Sequence, residues 1–290
     1  MSGAAGSGRP IRIEGWSRAP LAGRLAPILL VVAVGLAAVV RELAPYVFIA
    51  VLFGYLITRR FGTRSTALAA VLPAAAILVW RSLPQALADP TGTDCANLLA
   101  PPVVWRLLEG VIGLVAVAAL LYDRGTSPAL LGLRRGSRTV RLAALIGLLI
   151  VAPIAVYAGT LLGDVRFAGT FFGTYTLDLT QPLALLPALL FAASNALAEE
   201  LSYRGAMRVW LAPTLGVAGA NLAQSIVFGL SHTGADFVGL QGLIPTLVAM
   251  TVVGYVAGVV ARRTGSLMLP LAIHLALDIP IYFYWACQLG

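Results

Sequence analysis

The sequence predicts an all-α protein, a polytopic transmembrane helical bundle with about nine (eight to nine) membrane spans. Two observations carry this. The 290 residues are 59% hydrophobic and only 11% charged, about half the charge an ordinary soluble domain uses to coat its surface. The apolar residues also fall in long runs parted by short arginine-bearing segments, the pattern of helices crossing a bilayer. A mean hydropathy of +0.91 agrees. This composition excludes a secreted disulfide scaffold, a disordered chain and a free cytosolic enzyme.

The apolar runs place spans at about 25–40, 43–58, 65–80, 103–122, 142–163, 183–211, 214–232, 243–261 and 267–286. The first two are parted only by Arg41 and Glu42. Some runs fall short of the ~20 residues a bilayer asks of a helix, so their ends are soft. Residues 1–24 are too long and too arginine-spread for a cleaved signal peptide and read as a cytoplasmic segment before a retained anchor. The chain divides into that segment, amino-terminal transmembrane helices over 25–180, and a carboxyl-terminal region over 181–286 that holds the candidate chemistry.

All twenty basic residues are arginine, and there is no lysine. With the amino terminus in the cytoplasm, sixteen of them collect on the cytoplasmic side, leaving Arg41, Arg81, Arg106 and Arg166 for the other side or for span ends. That alternation predicts a cytoplasmic (inner) membrane protein with its amino terminus inside and its carboxyl terminus outside. A net charge of +8 spread in this way reads as topology, so nucleic acid is not an expected partner; the lipid bilayer is. Tyr282, Phe283, Tyr284 and Trp285 suit an interfacial belt or plain packing. Gly254 and Gly258 form a GxxxG pair for close helix approach. Cys95 and Cys287 both fall on the outer side, and two unpaired thiols are expected over a disulfide. The outer loop from Asp164 to Gln181, with Phe171, Phe172 and Tyr175, reads as interfacial before it reads as a gate.

Ionisable residues inside apolar spans are costly and mark function. Glu109, Glu199, Glu200 and Asp278 are the acids so placed, and Glu109 has Arg106 three residues earlier as a local partner. The only two histidines, His232 and His274, lie at or inside the last third's spans. Residues four apart share a helix face, so Glu200 meets Arg204, Phe228 lies under His232, and His274 lies under Asp278. Glu199 points about 100° away from Glu200, which leaves one carboxylate neutralised by arginine and the other free. A hairpin turning near Pro213 and Gly216 brings His232 back to the level of Glu199, both about 20 Å from its tip at ~1.5 Å per residue. His274 lies about 14 Å from the same side by the same rise. This common level requires the sixth helix to run on through Arg204 and Arg208 to about Leu211.

A buried glutamate beside a histidine can activate a water. Two histidines and a glutamate, Glu199, His232 and His274, are equally a competent zinc set, although there is no HExxH. A metal-free glutamate mechanism is the favoured reading, with zinc as the alternative.

Glu199-Glu200-Leu-Ser-Tyr-Arg204 reads as EExxxR, Phe228-Gly-Leu-Ser-His232 as FxxxH, and His274-Leu-Ala-Leu-Asp278 as HxxxD. In this order on consecutive apolar segments they resemble the CPBP family of intramembrane proteases, which includes type II CAAX prenyl endopeptidases, bacterial Abi proteins and bacteriocin-immunity relatives. The resemblance spans about residues 181–286. It implies an endopeptidase acting on a membrane-anchored peptide or protein. It also implies that Glu199 and His232 activate water, that His274 and Asp278 hold the oxyanion, and that Glu200, Arg204 and Phe228 support the site. The family uses Asn or Asp at the last position, and an aspartate donates only when protonated. A proton-coupled transporter, which would show internal repeats, and a non-catalytic immunity or scaffold member remain the alternatives. The lysine-free composition suits a GC-rich bacterial genome, where anchored peptides, precursors with sorting tails or anti-sigma factors are expected over prenylated substrates.

Overall fold

The computed structural model describes residues 21–63, 65–83, 94–162, 182–233 and 240–286. Among the described residues the chain is helical through nearly all of each expected span, and no strand occurs. The helices are α1 (Leu21–Val39), α2 (Ala44–Arg60), α3 (Thr66–Ser82), α4 (Pro101–Arg124), α5 (Arg138–Leu162), α6 (Leu185–Glu199), α7 (Arg208–Ser231), α8 (Leu240–Thr264) and α9 (Met268–Ala286).

Local chemistry sets the boundaries. A 3-10 turn over Arg41–Leu43 parts α1 from α2, and a proline in the first turn of α2 needs no backbone donor there. Ser65 caps α3 by accepting from the Leu68 N–H. Two prolines open α4, and Gly125 ends it in a left-handed conformation. Between α6 and α7 the chain stays helical but widens into a π-helix over Glu200–Met207, a form that gathers at functional sites. The break falls at Gly216, whose φ of 75° and ψ of 167° lie outside helical space in a region that glycine alone enters readily. The helix bearing Glu199 therefore runs on past Leu211, as the common level of the polar groups requires.

Helices Arg41–Arg60, Pro101–Arg124, Leu185–Ser231 and Leu243–Thr264, with Arg138–Ala155, are long and apolar enough to cross a membrane. Gly23–Val39, Thr66–Ser82 and Met268–Phe283 are apolar but shorter, so nine full-length spans is an approximate count. Leu185–Ser231 contains the Gly216 turn and supplies two limbs. The protein is a multi-pass membrane protein, and its outer faces agree: Leu149, Ile154, Val115 and Phe53 stay exposed, where a bilayer rather than water is the matching solvent.

The short helix α3 is the axis of the bundle, with Ala67 to Leu78 almost wholly buried. It packs on α1, α2, α4, α7 and the π segment. Helix α6 packs on α4 and α9, and α9 leans on α5. The α7–α8 seam is tight: a Cβ on Gly258 would fall 1.8 Å from Asn221 Oδ1, and one on Gly254 3.2 Å from Ser225 Cα. Across it Asn221 donates to the Tyr255 carbonyl and Gln224 to that of Gly254. The GxxxG pair is thus structural.

Of the two readings of the aromatic cluster, packing holds for Tyr282 and Phe283, which are buried, with Tyr282 Oη donating to the Cys95 carbonyl at 2.7 Å. Two expectations change. Cys95 is disulfide-bonded rather than a free thiol, and Glu199 is not free of arginine, as described below. Residues 1–20, the outer loop from Asp164 to Gln181, Cys287 and the side chains of Tyr284 and Trp285 lie outside the described residues.

Candidate active site

The α6 limb, the π segment, the end of α7 and the middle of α9 converge on one buried cluster. Glu199 and Glu200 are each 1% exposed, a placement that demands partners. Their partners differ, as a rotation of about 100° between neighbours requires.

Glu200 Oε1 accepts from His274 Nδ1 at 2.9 Å and lies 3.3 Å from Arg204 Nη1. The Arg204 guanidinium stands 3.8 Å over the Phe228 ring, a cation–π contact in a fully buried setting. Phe228 also stacks obliquely on His232, with ring centroids 4.4 Å apart, and meets His274 edge-on at 6.1 Å. It therefore holds both imidazoles in place.

Glu199 is gripped at Oε1 by Arg81 of α3. Its Oε2 has no hydrogen-bond partner and faces His274 Nε2 at 3.5 Å and His232 Nε2 at 3.9 Å. The His232 tautomer is fixed by its neighbour. Nδ1 lies 2.7 Å from the Phe228 carbonyl, which can only accept, so Nδ1 carries the proton, and in the neutral imidazole Nε2 presents a lone pair. Two acceptors 3.9 Å apart form no direct bond, and this is the spacing that one bridging water spans.

His274 Nε2 also lies 3.6 Å from Asp278 Oδ2, which accepts from Asn195 Nδ2 at 2.8 Å. Asn195 Oδ1 in turn accepts from Arg81 at 3.3 Å. Arg81 further donates to Glu109 through Nε at 3.0 Å, and Glu109 Oε2 accepts from Arg106 at 2.6 Å. The expected Arg106–Glu109 pair is present but belongs to this larger network.

All seven residues of the three motifs therefore meet: Glu199, Glu200, Arg204, Phe228, His232, His274 and Asp278. Two further residues, Arg81 and Asn195, join the site without a sequence signal of their own. Arg81 reads as a span-end charge in the sequence. Asn195 precedes Glu199 by four residues on the same face but carries no charge to mark it. Among the described residues no group of three His, Cys, Asp or Glu side chains is placed to hold a metal ion. Glu199, the acid such a set would need, has one oxygen already committed to a guanidinium.

The cluster opens into a cavity of about 470 Å³ between α8 and α9. His232, His274, Glu200 and Asp278 form its polar end, and Val252, Val253, Val256 and Ile281 belong to its apolar wall. Val252 and Val256 are 56% and 54% exposed on the outer face of α8, so the cavity reaches the surface where lipid lies.

No curated protein and no solved structure is a significant match to the chain. Residues 181–279 match the family model described as type II CAAX prenyl endopeptidase Rce1-like. That segment contains Glu199, Glu200, Arg204, Phe228, His232, His274 and Asp278, and over it the chain is similar to the CPBP/CAAX protease family, whose activity at family level is endopeptidase hydrolysis at the membrane.

Proposed function

We propose that the chain is an intramembrane endopeptidase that hydrolyses a peptide bond of a membrane-anchored protein or peptide with a water held between Glu199 and His232. The observation that carries this is the 3.9 Å gap between Glu199 Oε2 and His232 Nε2, the separation at which one water can meet both. A water there donates one hydrogen to each and turns an oxygen lone pair toward the cavity. As the oxygen bonds to the carbonyl carbon, its proton passes to Glu199, which returns it to the leaving amine as the C–N bond breaks.

The forming oxyanion needs a donor at the cavity's polar end. Arg81, Arg106 and Arg204 face Glu109, Glu199, Glu200 and Asp278 within the described network, leaving one negative charge over. One proton between His274 Nε2 and Asp278 Oδ2, 3.6 Å apart, closes it and supplies the donor. Asp278 then acts in its protonated form or His274 as the imidazolium. Glu200, Arg204 and Phe228 fix the imidazole of His274.

The mechanism is metal-free; zinc on Glu199, His232 and His274 is the alternative that a chelator tests. The protein resides in the cytoplasmic membrane with its amino terminus inside and its carboxyl terminus outside. Residues 25–180 brace the catalytic region 181–286. The substrate is a membrane-anchored peptide, a sorting-tail precursor or an anti-sigma factor. The test is cleavage of anchored peptides by purified protein in detergent, wild type beside Glu199→Gln. Cleavage lost in the variant supports the reading; equal cleavage overturns it.

A further inference from the structure

The family match begins at residue 181, yet the group that grips Glu199 comes from α3, far outside it. We infer that Arg81 is a positioning residue of the catalytic centre, which makes the amino-terminal helices part of the machinery rather than a passive anchor. The inference rests on Glu199 as the base that activates water.

A glutamate on a helix has several rotamers and two equivalent oxygens. Arg81 removes that freedom. By taking Oε1, it leaves Oε2 alone to face His232 and His274. The same guanidinium bonds Asn195 Oδ1, and Asn195 Nδ2 bonds Asp278. One cation thus sets the two ends of the site, the base and the oxyanion side, relative to each other. It is itself fixed: Glu109, with 0% exposure, bonds Arg81 on one oxygen and Arg106 on the other. Trp80 next to Arg81 donates to the Trp105 carbonyl and stacks near that ring at 4.5 Å, so α3 and α4 are locked where the network crosses them.

The planar fork matters. Arginine reaches two carboxylates and an amide together, whereas lysine supplies a point charge on a flexible stem. Displacing a catalytic group by about 1 Å costs on the order of 100-fold in rate. Arg81→Ala is therefore expected to lower kcat about 100-fold with KM within a factor of about two, because Arg81 does not line the substrate cavity. Arg81→Lys should recover part of the loss.

Arg81→Ala strands two buried carboxylates and endangers folding, so the deciding variant is the double Arg81→Met, Glu109→Gln, which removes one charge of each sign. The full chain in detergent is assayed with a quenched-fluorescent peptide bearing an acylated or farnesylated anchor, alongside thermal unfolding and Glu199→Gln. The expected result is a double variant with near wild-type unfolding temperature and kcat still depressed at least tenfold. A double variant that regains both stability and kcat overturns the positioning role and makes Arg81 structural only. Full activity in Glu199→Gln instead overturns the underlying reading of the base, so the two failures are distinct.

Discussion

Nε2 of His274 lies 3.5 Å from Oε2 of Glu199, which joins the middle of α9 to the end of α6 at the point where the helix widens. The same imidazole gives Nδ1 to Glu200, so one ring reads both members of the acidic pair. His274→Ala should abolish cleavage and also lower the unfolding temperature, since Glu200 keeps only Arg204. Loss of cleavage with unchanged unfolding would show that the Glu200 contact carries no stability.

Asp278 offers a sharper discrimination. Its Oδ2 already accepts from Asn195; an asparagine there keeps that acceptor and turns an NH2 toward the cavity without needing a proton. Asp278→Asn should retain kcat within about tenfold, whereas Asp278→Leu should remove most activity, since losing one oxyanion donor costs about 100- to 1000-fold. Steady-state cleavage of an anchored peptide measures both. Equal loss in the two variants would remove Asp278 from the oxyanion role.

Arg204 is buried at 1% exposure against Glu200 and the Phe228 face. Arg204→Ala breaks a buried pair from one side and should cost about 3–5 kcal/mol, seen as a lower unfolding temperature and less monodisperse protein. Arg204→Lys should recover part of the stability but lose the stacked geometry. A wild-type unfolding temperature in Arg204→Ala would show that Glu200 is satisfied by His274 alone.

The α7–α8 seam predicts a purely structural lesion. A side chain at Gly258 drives into Asn221 and Gln224, so Gly258→Leu should sharply reduce folded protein, whereas Val256→Ala on the exposed face should not. Yield of monodisperse protein in detergent reads the difference.

Much of this was legible in the sequence because membrane burial leaves few polar residues to choose from. Periodicity four placed Glu200 with Arg204, Phe228 with His232 and His274 with Asp278, and Gly216 supplied the turn that levels them. What escaped came from tertiary packing. Arg81 looks like any arginine at a span end, and its reach to Glu199 follows from α3 lying at the bundle axis, which no local pattern encodes. Asn195 carries no charge, and an uncharged amide in an apolar span does not stand out as a buried acid does. Tyr282 looks interfacial by composition and is buried because α9 leans against α5 and α6. The π-helix over Glu200–Met207 likewise has no signature in residue type.

The most direct measurement is the kcat of purified protein on a membrane-anchored peptide, wild type beside Glu199→Gln, each with and without a strong chelator. Activation of water by Glu199 predicts a loss of about 100- to 10,000-fold in the variant and equal wild-type rates with and without chelator. Full activity in Glu199→Gln would contradict the glutamate base, and loss of wild-type activity on chelation would contradict the metal-free mechanism.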